Sequence, residues 1–375
     1  MSPLPVYVPI IKGKVNDLCA FGALAPRLRD EVKPLIEAMP INPKKPNVDE
    51  HVHKLCNYIR KHAPLGQAFV DFYGLMPDAV TPDGTNATLY GYGLLKAFGR
   101  AVTPVYGLDR NDELWPDLGK VAQGFQRGFA FRLRRDDLAE YLFDDTWAQV
   151  VGRSSQMRLR ASDIDLILDF GSMVGTEIAE ISEIVSTFLF SNPRIRDYRS
   201  VVIVASSALK TVGEVERDNM TEVVRNELHL WAALWRDMPD DIKPIFGDYG
   251  VVHPDFSDFG PNKNINAKIR YTVGDRILYY RGHGLNHPVK DYDQYHGLAR
   301  AARADRRFQG RGFSFGDSRV DDCASGLIGP GSTGMWVKAD MNHHLSYTTL
   351  QVNRLIPVLN AEVSGLEISR LLETI

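Results

Sequence analysis

The chain has 375 residues, enough for two or three domains at roughly 150 residues each or for one large α/β barrel. Hydrophobic residues make up 44% and charged residues 24%, which excludes a disordered or fibrous chain. A formal charge of −3 excludes a global basic field, so a nucleic-acid partner is not strongly indicated. Along the chain, short apolar runs rich in β-formers alternate with helical patterns. The first two runs are VYVPIIK (6–12) and VKPLIE (32–37). A helical pattern with Val52, Leu55 and Ile59 follows over Val48–His62, with Asn47 as its N-cap. QAFVDF (67–72) precedes a second pattern over Thr85–Phe98, capped by Thr85. AVTPVY (101–106) and GFAFRLR (128–134) come next, then a helix with Leu142 and Trp147. IDLILDF (164–170) leads to a helix over Glu177–Phe190, and SVVIVASS (200–207) to a helix over Thr221–Trp235. KPIFGDY (243–249) is the eighth run.

These runs recur about every 34 residues, the length of one βα unit. Most are apolar throughout, as strands buried on both faces of a parallel sheet should be. The pattern predicts an α/β fold, a closed (β/α)8 TIM-like barrel with an elaborated C-terminal segment after strand eight. A doubly wound sheet is the alternative. Past the eighth run, AKIRYTV and RILYYRG flank Gly274-Asp275 as a hairpin within an insertion at 251–290. A helix follows over about Tyr292–Arg306. The Gly-rich stretch 309–335 reads as loop, and MWVKAD as a final strand before a last helix. The expected division is a barrel over 1–306 and a C-terminal elaboration over 307–375 packed on it.

The three cysteines, Cys19, Cys56 and Cys323, form no CxxC, and their odd number argues against a disulfide framework. The opening residues lack the charged and apolar regions of a signal peptide, and no stretch approaches 18 apolar residues. A cytoplasmic protein with no membrane partner is expected.

In a barrel, side chains at the C-terminal strand ends gather at the mouth. One polar residue near the end of each run gives Lys12, Glu37, Asp71, Tyr106, Arg132, Asp169, Ser206 and Asp248. Such a ring can supply a carboxylate acid/base pair or hold an anion through Lys12 and Arg132. A divalent metal is allowed but not required. Equally, the ring can be an interlocked salt-bridge network. Gly247 and Gly250 flank Asp248, either for close approach to a ligand or for a plain turn. Asn342-His343-His344 is the best histidine cluster, although adjacent residues on a strand point to opposite faces. Zinc-type spacings, a GxSxG elbow, a P-loop and a GxGxxG fingerprint are all missing from the sequence. Arginines cluster at Arg127, Arg132, Arg134 and Arg135, and again from Arg300 to Arg311.

Several of these residues lie in segments that resemble the "beta family" proteins of bacteria and phages. The segments are Tyr7–Lys14, Pro34-Leu35-Ile36-Glu37, Gly247-Asp248-Tyr249 with His253-Pro254, Phe313-Ser314-Phe315-Gly316-Asp317, and Trp336 through His344. Phe315 stands where many relatives carry Trp. The resemblance brings no biochemical activity with it but implies a role in phage–host conflict. Its matching positions are Lys12, Glu37, Asp248, Asn342 and His343, in or beside the candidates above, and Asp317, which the resemblance alone adds.

Two functions follow as expectations. One is a hydrolase acting on a small anionic ligand, nucleotide-like or a sugar phosphate. In it Glu37, Asp248 and His343 are catalytic, and Lys12, Asp71, Tyr106, Arg132, Asp169, Ser206, Asp317 and Asn342 bind. The other is a non-catalytic sensor or adaptor of an antiviral system that binds a partner effector protein.

Overall fold

A computed structural model describes residues 4–42, 47–63, 68–256, 265–286, 289–361 and 372. Its strands are β1 (Tyr7–Lys12), β2 (Leu35–Glu37), β3 (Phe69–Asp71), β4 (Thr103–Tyr106), β5 (Phe129–Arg134), β6 (Ile164–Ser172), β7 (Ser200–Ser206), β8 (Met220–Val224), β9 (Ile245–Asp248), β10 (Asn266–Val273) and β11 (Arg276–Gly284). Its α-helices are α1 (Val15–Gly22), α2 (Pro26–Arg29), α3 (Val48–His62), α4 (Ala87–Ala97), α5 (Trp115–Phe125), α6 (Phe143–Met157), α7 (Ile178–Ser191), α8 (Asn226–Asp237), α9 (Gln294–Ala304), α10 (Phe315–Ala324) and α11 (Thr333–Leu359).

Strands β1 to β7 and β9 pair in parallel and close into a barrel, with β9 between β7 and β1. This is the predicted eight-stranded α/β barrel, and its strands are the eight apolar runs. Val8, Ile10, Leu35, Phe69, Val105, Ala130, Ile167, Val202, Val204 and Ile245 fill the interior. Their neighbours one position along, such as Tyr7, Ile36, Phe131 and Phe246, pack outward in the layer shared with the helices. At the N-terminal end, Asp165 closes the interior with Arg199 (Nε–Oδ1 2.8 Å), Ser200 (2.7 Å) and Lys33 (3.7 Å). Side-chain oxygens cap the helices where the chain turns into them. Asn47 Oδ1 accepts from Glu50 N, and Asn86, rather than Thr85, accepts from Thr88 N at 2.9 Å.

The C-terminal part departs from expectation in three places. First, β8 takes up the opening residues of the stretch read as helix from Thr221. It pairs with β11 to form an antiparallel sheet in the order β10-β11-β8, and α8 starts only at Asn226. Second, the Gly-rich stretch contains α10, capped by Ser314. Third, MWVKAD is not a strand but the beginning of α11, whose N-cap Ser332 accepts from Met335 N. The sheet packs with α9, α10 and α11 around a second core of Ile269, Tyr271, Leu278, Tyr295 and Trp336. α11 belongs to both cores. Met341, Leu345, Val352 and Leu355 face the barrel layer, while Trp336, Ala339 and Tyr347 face the sheet. Burying each large apolar side chain contributes about 1.5–3 kcal/mol, so this one helix holds the two parts together.

Candidate functional site

Alternation along the strands decides which polar ends meet at the mouth. Lys12 follows Val8 and Ile10 in the inward series, Glu37 follows Leu35, Asp71 follows Phe69, and Arg132 and Arg134 follow Ala130. Asp169 follows Ile167, and in β9 the inward residues are Ile245, Gly247 and Tyr249. Tyr106 and Asp248 fall in the outward series of β4 and β9.

The inward groups form one network centred on Arg132, whose side chain is fully buried. Its Nε donates to Asp169 Oδ2 at 2.9 Å, and its Nη1 reaches Asp71 Oδ2 at 2.8 Å and Glu37 Oε2 at 2.7 Å. Its Nη2 donates to the Tyr249 hydroxyl at 2.9 Å, which in turn donates to Asp169 at 2.6 Å. Lys12 Nζ donates to Glu37 Oε1 at 2.5 Å and to the Pro254 carbonyl at 2.8 Å. Arg110, from the loop after β4, grips both oxygens of Asp71 at 2.5 and 3.0 Å, with Asp109 behind it at 3.4 Å. Backbone N–H groups of Tyr73 and Gly171 complete Asp71 and Asp169. Gly171 turns with φ at +63°, which favours glycine.

Electrostatics fixes the protonation of this network. Burial alone would raise the Asp71 carboxyl, but Arg110 and Arg132 outweigh it and hold it below the usual range. Burial likewise acts upward on Asp169 and is outweighed by Arg132 and Arg134. Burial, then Asp169, push the Tyr249 hydroxyl well up. Both oxygens of Glu37 already accept from cations. Asp71 and Asp169, held ionised in this way, are poor proton shuttles, because a general acid or base works best with a pKa near the working pH. No group of three or more His, Cys, Asp or Glu among the described residues is placed to hold a metal ion.

One cation of the mouth stands apart. The Arg134 guanidinium lies over the Tyr73 ring, 4.3 Å from its centroid, and its buried Nη1 has no hydrogen-bond partner among the described residues. Tyr73 is 37% exposed, so this corner of the mouth meets solvent.

The remaining candidates lie elsewhere. Tyr106 donates to the Asn111 carbonyl and packs edge-on to Trp115, outside the barrel. Ser206 follows Val202 and Val204 in the inward series of β7 but stands outside the Arg132 network, buried and accepting from Ala208 N. Asp248 accepts from the Tyr7 hydroxyl at 2.5 Å and from His344 Nε2 at 2.9 Å, with Arg225 at 3.5 Å, all fully buried on the outer wall. Burial drives His344 toward its neutral form, so Nε2–H donates to Asp248 while Nδ1 accepts from the Thr272 hydroxyl at 2.7 Å. His344, not His343, therefore reaches Asp248. His343 lies on the other side of α11 against Asp317 (2.8 Å) and the Thr272 carbonyl (2.7 Å), stacked on Tyr271 at 3.8 Å. Asn342 donates to the Ala20 carbonyl and accepts from Gly316 N. Asp317, Asn342 and His343 thus join α10, α11, α1 and the sheet and do not touch the mouth. Gly247 has a packing role, because a Cβ there would lie 2.8 Å from Val204 Cγ2 and 2.9 Å from the Val8 carbonyl.

Sequence reasoning passed over Tyr249, Arg110 and Tyr73, and saw Arg134 only as part of a basic cluster. The signal for Tyr249 was its place two residues past the inward Gly247.

No curated protein matches this chain. The family model described as Beta protein matches residues 7–349, a span that takes in the barrel, the sheet and most of α11. The chain belongs to the Beta protein family.

Proposed function

We propose that the protein is a receptor for a small anionic ligand, docking at the barrel mouth on Arg134 beside Tyr73. The observation that carries this reading is the Arg134 guanidinium, whose buried Nη1 has no partner among the described residues, in a mouth whose three inward carboxylates are already taken by Lys12, Arg110 and Arg132. A buried guanidinium nitrogen without an acceptor costs about 1–3 kcal/mol or more, and an oxyanion would remove that cost. A phosphate-bearing ligand of the nucleotide or sugar-phosphate kind fits this chemistry. The saturated carboxylates favour binding over hydrolysis. In the phage–host conflict role that the family resemblance implies, such a receptor would be the sensing component, passing ligand occupancy to a partner effector.

A thermal-shift panel of nucleotides, sugar phosphates and inorganic phosphate tests the reading. Ligand at about 100 times its dissociation constant stabilises by about 2.7 kcal/mol. For a chain of this length that is a rise in Tm of about 3 °C. The rise is expected in the wild type and not in Arg134→Gln. A rise of equal size in both proteins, or none with any compound, overturns the assignment.

A further inference from the structure

A second cluster of basic side chains lies where the sheet meets the barrel. On β10, Ala267, Ile269 and Tyr271 face the second core, so Lys268, Arg270 and Thr272 face the other way, toward the barrel. Contacts along this seam confirm the direction. Arg270 Nη1 donates to the Val251 carbonyl after β9 at 2.7 Å, and Thr272 bonds His344. Arg281, paired with Lys268 across the strands, donates to the carbonyls of Gly213 and Val215 after β7. Tyr279, on the same face, accepts from Leu209 N.

The Lys268 amine sits in this seam without a hydrogen bond or ion pair to any described residue, while the Lys268 backbone bonds the Tyr295 hydroxyl. Its surroundings are unusual for a lysine. Arg270 lies two residues along the same face, Arg281 lies opposite, and Lys14 approaches from the start of α1, stacked over Phe256. Two carboxylates are near. Asp340 is engaged by Arg270 Nε at 2.9 Å, and buried Asp17 lies among Lys14, Arg270 and Lys12. Neither is within ion-pair distance of Lys268. A half-buried amine crowded by like charges is the setting in which an oxyanion finds several donors at once.

We propose that Lys268, with Arg270 and Lys14, forms an oxyanion-binding crevice between the barrel and the sheet that takes a phosphate-type group. This site is separate from the Arg134 corner of the mouth and stands whether or not that corner binds a ligand. Burial and the neighbouring cations also lower the Lys268 amine to about 8. At pH 7.5 about a quarter of it is therefore free amine, against about one part in a thousand for an ordinary lysine.

This amine provides the test. Pyridoxal 5′-phosphate, an aldehyde carrying a phosphate, is added to the full chain at pH 7.5 in limiting amount. The Lys268 amine attacks the aldehyde carbon, and loss of water gives an imine. Added borohydride then delivers hydride to the imine carbon, leaving a stable secondary amine that is mapped by peptide mass spectrometry. The expected result is labelling of Lys268 about tenfold faster than of Lys120, whose side chain is 78% exposed. Inorganic phosphate should slow the Lys268 reaction several-fold, and pyridoxal without its phosphate should react there several-fold more slowly. Lys268→Gln should remove this label alone and leave Tm unchanged. Labelling of Lys268 no faster than Lys120 overturns the proposal, and so does fast labelling that ignores both added phosphate and the reagent's own phosphate.

Discussion

The barrel carries two ionic clusters built from adjacent residues at the same strand ends, and they behave differently. Inside the mouth, Asp169 meets Arg132 charge to charge, with the neutral Tyr249 hydroxyl bridging the two. On the outer wall, Asp248, one residue before Tyr249, is held by neutral donors: the Tyr7 hydroxyl, the His344 imidazole and Gly250 N, with Arg225 farther off at 3.5 Å. Among the described residues both clusters hold a guanidinium nitrogen without a partner, Arg134 Nη1 inside and Arg225 Nε outside, but only Arg134 lies beside a solvent-exposed ring, that of Tyr73. In the outer cluster Asp248 has filled its acceptors and none of its side chain is exposed. A one-residue change of register along a strand thus separates a candidate site from a structural staple.

The largest test breaks the inner cluster at its centre. Arg132→Met leaves Glu37, Asp71 and Asp169 without their shared cation. Uncompensated buried charge costs about 3–5 kcal/mol, and three carboxylates place this variant at the upper end. Urea denaturation at pH 7 should read a loss of about 5 kcal/mol, narrowing below about pH 4 as the carboxylates protonate. A loss under about 1 kcal/mol would mean that water already reaches the network.

Asp248→Asn tests the outer cluster. The amide cannot accept from both Tyr7 and His344 on equal terms, and Arg225 loses a counter-charge. A loss of about 2–3 kcal/mol is expected, with any ligand-induced rise in Tm unchanged, because Asp248 does not face the mouth. If the variant keeps its stability but loses that rise, Asp248 belongs to the site and the comparison fails. Acid sharpens the same test. Burial pushes Asp248 up, but His344 and Arg225 outweigh it, so the folded carboxyl lies below its unfolded value. Its contribution is then fully present above about pH 4 and is lost as pH falls through the folded value, because the unfolded chain binds more protons there. The acid limb of Asp248→Asn should be shallower than that of the wild type by up to about 1.4 kcal/mol per pH unit.

The two tyrosines make a closer pair. Tyr7→Phe removes one of the neutral donors that hold Asp248, whereas Tyr249→Phe leaves Asp169 with two contacts from Arg132 and one from Gly171 N. Losses of about 2 and about 1 kcal/mol are expected, in that order. Equal losses would show that Arg225 carries more of Asp248 than its distance suggests.

The barrel was legible because its strands are apolar on both faces, and the same property hid their direction. In Phe246-Gly247-Asp248-Tyr249 no alternation of polarity says that Asp248 turns outward and Tyr249 inward. Ala130 between Phe129 and Phe131 is the exception, since small inward and large outward residues set the direction that Arg132 and Arg134 follow. The first part of α11 was misread as a strand for a related reason. Every residue from Ala339 to Thr349 is buried, between barrel and sheet, so no polar face marks a helical period. Its polar residues are satisfied from all sides: Asp340 by Arg270, Asn342 by Gly316 and Ala20, and His344 by Asp248. Those partners lie far away in sequence, and only the fold brings them together.

Arg134→Gln should have the smallest effect on stability and the sharpest on function. The guanidinium has no ion pair to a described residue to lose, and its packing over Tyr73 contributes about 0.5–1 kcal/mol. Glutamine retains part of that packing, so a stability change under about 1 kcal/mol is expected. The substitution also removes a cation that helps hold Asp169 ionised, which slightly opposes folding of the carboxylate form. If the Arg134 corner is the docking point, this nearly silent change abolishes the ligand response, whereas Asp248→Asn, with several times the cost, leaves it intact. The reverse order, with ligand response tracking stability loss across the two clusters, would mean that neither cluster is a site and that both serve only to close the barrel.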